Sequence, residues 1–286
     1  MKIGISMFVT DYSMKPQDLA AAVEERGFES LWLPEHTHIP TSRASPWGGG
    51  PELPRHYKET LDPFLALNTV ATATTRLKVG TGIALVIQRD PIVTAKVVST
   101  LDQLSQGRFL FGVGNGWNQD EVENHGTVFA TRHKLARERI EAMKAIWTND
   151  VAEYRGKHVT IDPMWCWPKP VQKPHPPIIL GGGFPQGAKR AIAYGDGWMP
   201  IGDRELDPLD VRPRYRQMIA EAGRDPDTMP MSIFTGSRGQ GLGADERARL
   251  KKYRDAGVER TVLLVPTAGP ETTLPLLDTL AGLIEN

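Results

Sequence analysis

Short apolar runs alternate along the chain with longer segments in which apolar residues recur every three to four positions. The first kind reads as buried strands and the second as amphipathic helices. Strands are predicted at 2–9, 30–35, 77–86, 108–115, 178–181, 197–201, 231–235 and 261–265. Helices fall between and after them. The first starts at Pro16, carries Leu19, Ala22 and Val23 on one side and stops at Gly27. The second covers 63–74. The third opens on Asp90-Pro91, an N-cap followed by proline at the first helical position, and turns Val93, Val97, Leu101 and Leu104 inward. Further helices are expected over a segment with Ala136, Ile140, Met143 and Trp147 on one side, and at 187–194, 211–222, 245–256 and 271–284. Eight strands, each followed by a helix, imply a parallel sheet. At this length they suit a single (β/α)8 TIM barrel spanning 1–286 better than an open doubly wound sheet.

Three stretches interrupt the rhythm. Residues 37–60 hold Pro40, Pro46, Gly48 to Gly50, Pro51 and Pro54, far more than a connecting loop needs, which suggests a lid. A second insertion follows the fourth strand. A small hairpin is expected at 152–161, leading into a stretch at 163–177 rich in proline and tryptophan.

The fourth strand has the most unusual composition. Phe109, Phe111 and Val113 alternate with Leu110, Gly112, Gly114 and Gly116, so three glycines share one face. Glycine weakens a strand interior. A close backbone, a flat ligand or tapering in a crowded barrel would each account for the pattern.

Composition narrows the possible functions. Forty per cent hydrophobic content over 286 residues supports a large core, and 34 basic against 34 acidic residues argue against a nucleic-acid partner. The single cysteine, Cys166, excludes an internal disulfide. The opening MKIGISMFV is too short for a secretion signal or membrane span, so a cytoplasmic protein without a membrane partner is expected.

Barrel chemistry gathers at the C-terminal ends of the strands. Glu35 and His36 end the second, Gly82, Ile83 and Ala84 the third, Asn115, Gly116 and Trp117 the fourth, and Gly181, Gly182 and Gly183 the fifth. A histidine there is suited to proton transfer, or serves as an ordinary hydrogen-bonded residue. Unless the chain turns there, Glu35 alternates to the opposite side from His36, to orient the histidine's loop, touch a cofactor or form an ordinary salt bridge. Three glycines before a helix suit a phosphate, although the G-x-G-x-x-G spacing is missing. His36-Thr37-His38 lacks the further ligands of a metal hydrolase, no lysine stands at a strand end for a Schiff base, and there is no nucleophile elbow. What remains suits a large planar cofactor.

At this point whole segments become recognisable: RDPIVTAKVVSTLDQLSQGRFLFGVGNGWNQDEVENHG at 89–126, GFESLWLPEH at 27–36, LDPFLALNTVATATTRLKVGTGI at 61–83, RHKLARERIEAMKAIWTND at 132–150, PKPVQKPHPPIILGGG at 168–183 and AYGDGWMP at 193–200. In order, they resemble the luciferase-like monooxygenase superfamily, in particular its branch of oxidoreductases that use the deazaflavin coenzyme F420. The resemblance covers roughly 1–205 and implies the same barrel, a homodimer and a small organic substrate. It also implies a non-prolyl cis peptide at Gly82-Ile83 against the coenzyme ring, Asn115 and Gly116 beside the ring and Gly181 to Gly183 at its phosphate. His36 would transfer a proton and Glu35 touch the cofactor. FMN with a separate reductase is the alternative, and a flavin-binding protein without catalysis the third reading.

The departures are specific. The sugar-phosphate dehydrogenases of the branch carry an acid where Trp117 stands, so their substrate is not carried over. Asn115 replaces a common valine, and Glu35 a common aspartate.

Overall fold

The computed structural model describes residues 1–202, 207–236 and 246–284. In chain order its elements are β1 (Lys2–Ser6), α1 (Pro16–Glu25), β2 (Ser30–Leu33), α2 (His56–Glu59), α3 (Pro63–Ala73), β3 (Lys78–Thr81), β4 (Ala84–Leu85), α4 (Pro91–Leu104), β5 (Phe109–Gly114), α5 (Gln119–Asn124) and α6 (Arg132–Thr148). These are followed by β6 (Val151–Arg155), β7 (Thr160–Trp165), β8 (Ile178–Gly181), α7 (Gln186–Tyr194), β9 (Gly197–Met199), α8 (Pro208–Glu221), β10 (Ser232–Thr235), α9 (Glu246–Asp255), β11 (Arg260–Leu264) and α10 (Pro270–Ala281).

The principal strands run parallel in the order β10-β11-β1-β2-β3-β5-β8-β9. Two isolated parallel bridges, Trp198 to Met231 and Ile201 to Phe234, join β9 to β10 and bring the sheet nearly to closure. This is the expected (β/α)8 barrel. Its helices begin where the sequence places caps: Asp62 accepts from the amides of Phe64 and Leu65, and Asp90 from that of Val93, each just ahead of a proline at the first helical position. The β6·β7 pair is an antiparallel hairpin set apart from the barrel.

The strand predicted over 77–86 is divided. β3 ends at Thr81, the Gly82-Ile83 peptide is cis, β4 resumes for two residues beside Val113 and Gly114 of β5, and a 3-10 turn follows at Val86–Gln88. Most other strands are shorter at their ends than periodicity suggests, because the last apolar residues of each run belong to the loops at the barrel mouth. The helix expected at 245–256 is observed from Glu246, and position 245 lies outside the described residues.

Two apolar layers form. Between strands and helices lies the large core that takes Phe109, Phe111 and Val113. Inside the barrel a smaller one consists of Trp32, Leu110, Ile179, Met199 and Val262, with Ile83 and Phe234 against it. Trp32 is fully buried and its indole N–H donates to Ser30 Oγ at 2.8 Å. Its register partner on β3 is Gly80, where a Cβ would stand 2.5 Å from the indole. Trp32 is thus the largest side chain of the layer that fills the barrel interior.

Candidate functional site

The open end is a cavity of about 560 Å³. Of the sequence-predicted site residues, Glu35, His36, Gly82, Ile83, Asn115, Gly116, Gly181 and Gly182 line it. Ala84 and Gly183 do not belong to its wall. Ala84 is fully buried and pairs with Val113, and the Gly183 carbonyl accepts the Gly187 amide at the entry to α7. From the 37–60 segment Pro46, Trp47, Gly48 and Tyr57 join the wall. That segment is tied to α5 by Ser42 Oγ donating to Asp120 and by the Gln119 amide donating to Ser45 Oγ.

The glycine face of β5 is occupied by the protein's own chain. A Cβ on Gly112 would run into the carbonyl oxygen of Thr81, whose hydroxyl donates to the Gly112 carbonyl at 2.7 Å. A Cβ on Gly114 would run into Ile83 Cδ1. Of the readings left open by the sequence, close backbone approach accounts for Gly112, and the Ile83 side chain accounts for Gly114. The missing side chains let the residues around the cis peptide sink against β5, so that Gly82 and Ile83 form one wall of the cavity.

Glu35 and His36 both lie beyond the end of β2 and take different partners. Glu35 is buried; one carboxylate oxygen accepts the Leu85 amide at 2.6 Å and the other the Arg89 guanidinium, which also reaches Asp62. The Glu35 charge therefore fastens the segment after the cis bond to the cap of α3. Burial opposes the charge of Arg89, but the two carboxylates outweigh it and raise its pKa.

His36 faces the cavity with Nδ1 2.7 Å from Glu121 Oε2, while the Thr37 amide donates to Glu121 Oε1 at 3.2 Å. Glu121 is 1 % exposed. With Nδ1 engaged, Nε2 is the nitrogen left for the cavity. Sequence reasoning missed Glu121, which sits three residues after Asn118, the N-cap of α5. That spacing looks like capping. His38 turns elsewhere, toward Asn124 and Thr37. Among the described residues, no group of three or more His, Cys, Asp or Glu could hold a metal ion.

Around His36 the wall is aromatic. Ring centroids lie 5.3 Å apart for His36 and Tyr57, 5.8 Å for His36 and Trp117, 5.7 Å for Trp47 and Tyr57, and 4.7 Å for Phe8 and Tyr57.

Across the mouth, beyond β3 and β5, the wall is cationic. Arg190 of α7 lies against Gly182, where a Cβ would be 3.1 Å from its Nη2, and His133 of α6 lines the same side. Buried Nε atoms of Arg132 and Arg190 and Nδ1 of His133 have no hydrogen-bond partner. Burial, then the charges of Arg190 and Arg132, push the His133 imidazole down to about 4. Neither Arg190 nor His133 was legible as a site residue, since both lie on amphipathic helices where a polar residue reads as solvated. The Arg190 guanidinium beside the Gly181-Gly182 backbone, with neutral His133 next to it, fits an anionic group such as a phosphate.

The luciferase-like monooxygenase family model matches residues 15–260. The chain is 40 % identical over 229 residues to an uncharacterised protein of Mycobacterium tuberculosis, covering 79 % of this chain and 80 % of that one. It is 27 % identical over 240 residues to the F420-dependent glucose-6-phosphate dehydrogenase of Kineococcus radiotolerans, covering 82 % and 66 %. Among solved structures it resembles an F420-dependent secondary alcohol dehydrogenase in complex with an F420-acetone adduct. There the TM-score is 0.75 at 19 % identity, over 99 % of this chain and 98 % of that one.

Proposed function

The chain belongs to the luciferase-like monooxygenase family, and from that premise we propose that it is an oxidoreductase dependent on the deazaflavin coenzyme F420. The observation that carries this reading is the two-sided cavity. One side has unpartnered Arg190 and His133 beside the Gly181-Gly182 backbone, and the other has a carboxylate-oriented histidine. The coenzyme, when bound, supplies a hydride carrier at a ring carbon.

The protein's own residues do the rest. Arg190, His133 and the amides near Gly182 would hold the phosphate. Ile83 and Gly82 would back the ring, with Asn115 and Gly116 alongside. His36, held by Glu121, would give or take a proton at Nε2 as hydride moves. The 37–60 segment, through Trp47 and Tyr57, would cover the bound substrate and keep water away. Relatives with F420 in their names support the coenzyme.

The same reading treats 1–286 as one domain and the protein as a cytoplasmic homodimer. Leu65 of α3 and Val93 of α4, 75 % and 61 % exposed, are apolar residues a partner would cover. No helix among the described residues is long and apolar enough to cross a membrane.

Native mass spectrometry with F420 and FMN in competition, together with fluorescence quenching of each, tests the coenzyme assignment. Preferential binding of F420 is expected. Tight FMN binding with no response to F420 would reverse the assignment in favour of an FMN-dependent monooxygenase.

A further inference from the structure

The two sides of the cavity differ in charge as well as shape, and the difference restricts what the protein can take beside its coenzyme. On the His36 side the two carboxylates among the described residues, Glu35 and Glu121, are already committed. Glu35 is bound by Arg89 and the Leu85 amide, and Glu121 by His36 and the Thr37 amide. Two cations near this side are committed as well. Arg89 is held between Glu35 and Asp62, and Arg55 pairs with Glu59 while lying over the ring of Tyr12. His56, stacked on Tyr57 with centroids 5.1 Å apart, has its pKa lowered by burial, so it adds no charge at neutral pH.

A charged group brought against Trp47, Tyr57 and Trp117 would lose water and find no counter-charge. A polyol would bury hydroxyls against ring faces that cannot pair them. Flat apolar surface, by contrast, gains area burial and edge or face contacts with the rings. Among the described residues that line this side, His36 has an uncommitted atom able to exchange a proton, Nε2.

We propose that the His36 side of the cavity binds an uncharged, flat, apolar carbonyl compound, of the class of aryl or cyclic ketones. Its rings pack against Trp47, Tyr57 and Trp117, and its single oxygen is turned toward His36 Nε2, the atom placed to exchange a proton with it. The proposal rests on the F420 reading for the other half of the cavity, where Arg190 and His133 are taken by the coenzyme's phosphate and so cannot serve an anionic substrate.

Isothermal titration of the full chain, alone and saturated with F420, tests the proposal with three probes: 1-acetonaphthone, 1-naphthoate and glucose 6-phosphate. The ketone should bind to the F420-saturated protein, the carboxylate at least about tenfold more weakly, and the sugar phosphate not at all. Trp117→Leu and Tyr57→Leu should each weaken the ketone about tenfold, and Trp117→Phe should restore it to within about threefold. Melting temperatures will tell a lost contact from a lost fold, and should a Leu variant unfold, the probe ranking and Trp117→Phe still decide. Naphthoate or glucose 6-phosphate binding as tightly as the ketone, absence of ketone binding, or unchanged affinity in both folded Leu variants would overturn the proposal. Ketone binding with no response to F420 would sink the coenzyme assignment alone, whereas F420 binding with a preference for the sugar phosphate would sink the substrate class alone.

Discussion

His36 Nδ1 stands 2.7 Å from Oε2 of Glu121, a carboxylate that is 1 % exposed and has the Thr37 amide as its other partner. The pair joins the end of β2 to α5, so the imidazole is oriented by an element 85 residues further along the chain. A buried carboxylate on one ring nitrogen fixes the orientation of the imidazole and leaves Nε2 toward the cavity. His36→Asn should lower turnover about 10²- to 10⁴-fold with coenzyme affinity little changed. Glu121→Gln keeps an acceptor but removes the charge. It should lower turnover about tenfold. Steady-state kinetics with parallel F420 titrations will check both, and Glu121→Gln turnover identical to wild type would leave the carboxylate without a positioning part.

Gly114 and Ile83 are fitted to each other, since a Cβ on the first would overlap Cδ1 of the second. Gly114→Ala should destabilise the protein by about 1–3 kcal/mol or force Ile83 into the cavity and weaken coenzyme binding. Adding Ile83→Ala should recover much of the loss because the obstacle is a side chain. Gly112→Ala should not be rescued in this way, since its obstacle is the Thr81 carbonyl oxygen. Thermal melts of the two single variants and the Gly114→Ala/Ile83→Ala double variant will separate these cases, and equal rescue of both glycines would refute the geometry.

How much could be read beforehand follows from what each residue's signal depends on. The barrel was legible because Asp90-Pro91 marks a helix start locally and strand periodicity needs no tertiary knowledge. His36, Gly116 and Gly182 were legible as site candidates because strand ends in a barrel share one mouth. Glu121, Tyr57, Arg190 and His133 reach that mouth from helices and a long loop. Their direction is set by packing between elements, and a polar residue on an amphipathic helix carries no local mark of the surface it meets. Trp32 was missed for a related reason, as its role shows only when Gly80 is placed beside it in register.

At the opposite end of the barrel Arg260 of β11 grips Glu29 with two bonds of 2.7 and 2.6 Å while lying over the ring of Trp32. Burial opposes the Glu29 charge, but the Arg260 hydrogen bonds and charge prevail and hold the carboxyl at about 2, against an ordinary 4.5. The unfolded chain therefore takes up a proton before the folded one does, and stability falls with pH between these values. The contribution is complete above about 4.5 and lost as pH drops through about 2. Glu29→Gln should cost about 3 kcal/mol at neutral pH and flatten this part of the acid profile. Urea melts from pH 7 downward give the comparison, and parallel wild-type and variant curves would exclude the pair as the cause.

His133 gives a pH dependence of binding rather than of folding alone. In the free protein burial, Arg190 and Arg132 hold it at about 4, so it is neutral at pH 7. Because the unfolded chain protonates near 6.5 and the folded chain only near 4, the free protein loses stability as pH falls through that window. A phosphate group beside Arg190 reverses the local field, raises the imidazole's affinity for a proton and draws one in on binding. Coenzyme affinity should therefore tighten as pH is lowered from about 8 to about 5, by at most about tenfold per pH unit. His133→Asn should remove the slope, and a riboside lacking the phosphate should show none in the wild type. Calorimetry in two buffers of different ionisation enthalpy reads the proton directly. Phosphate-dependent binding with no proton uptake at any pH would mean that Arg190 and the Gly182 backbone hold the anion without the histidine.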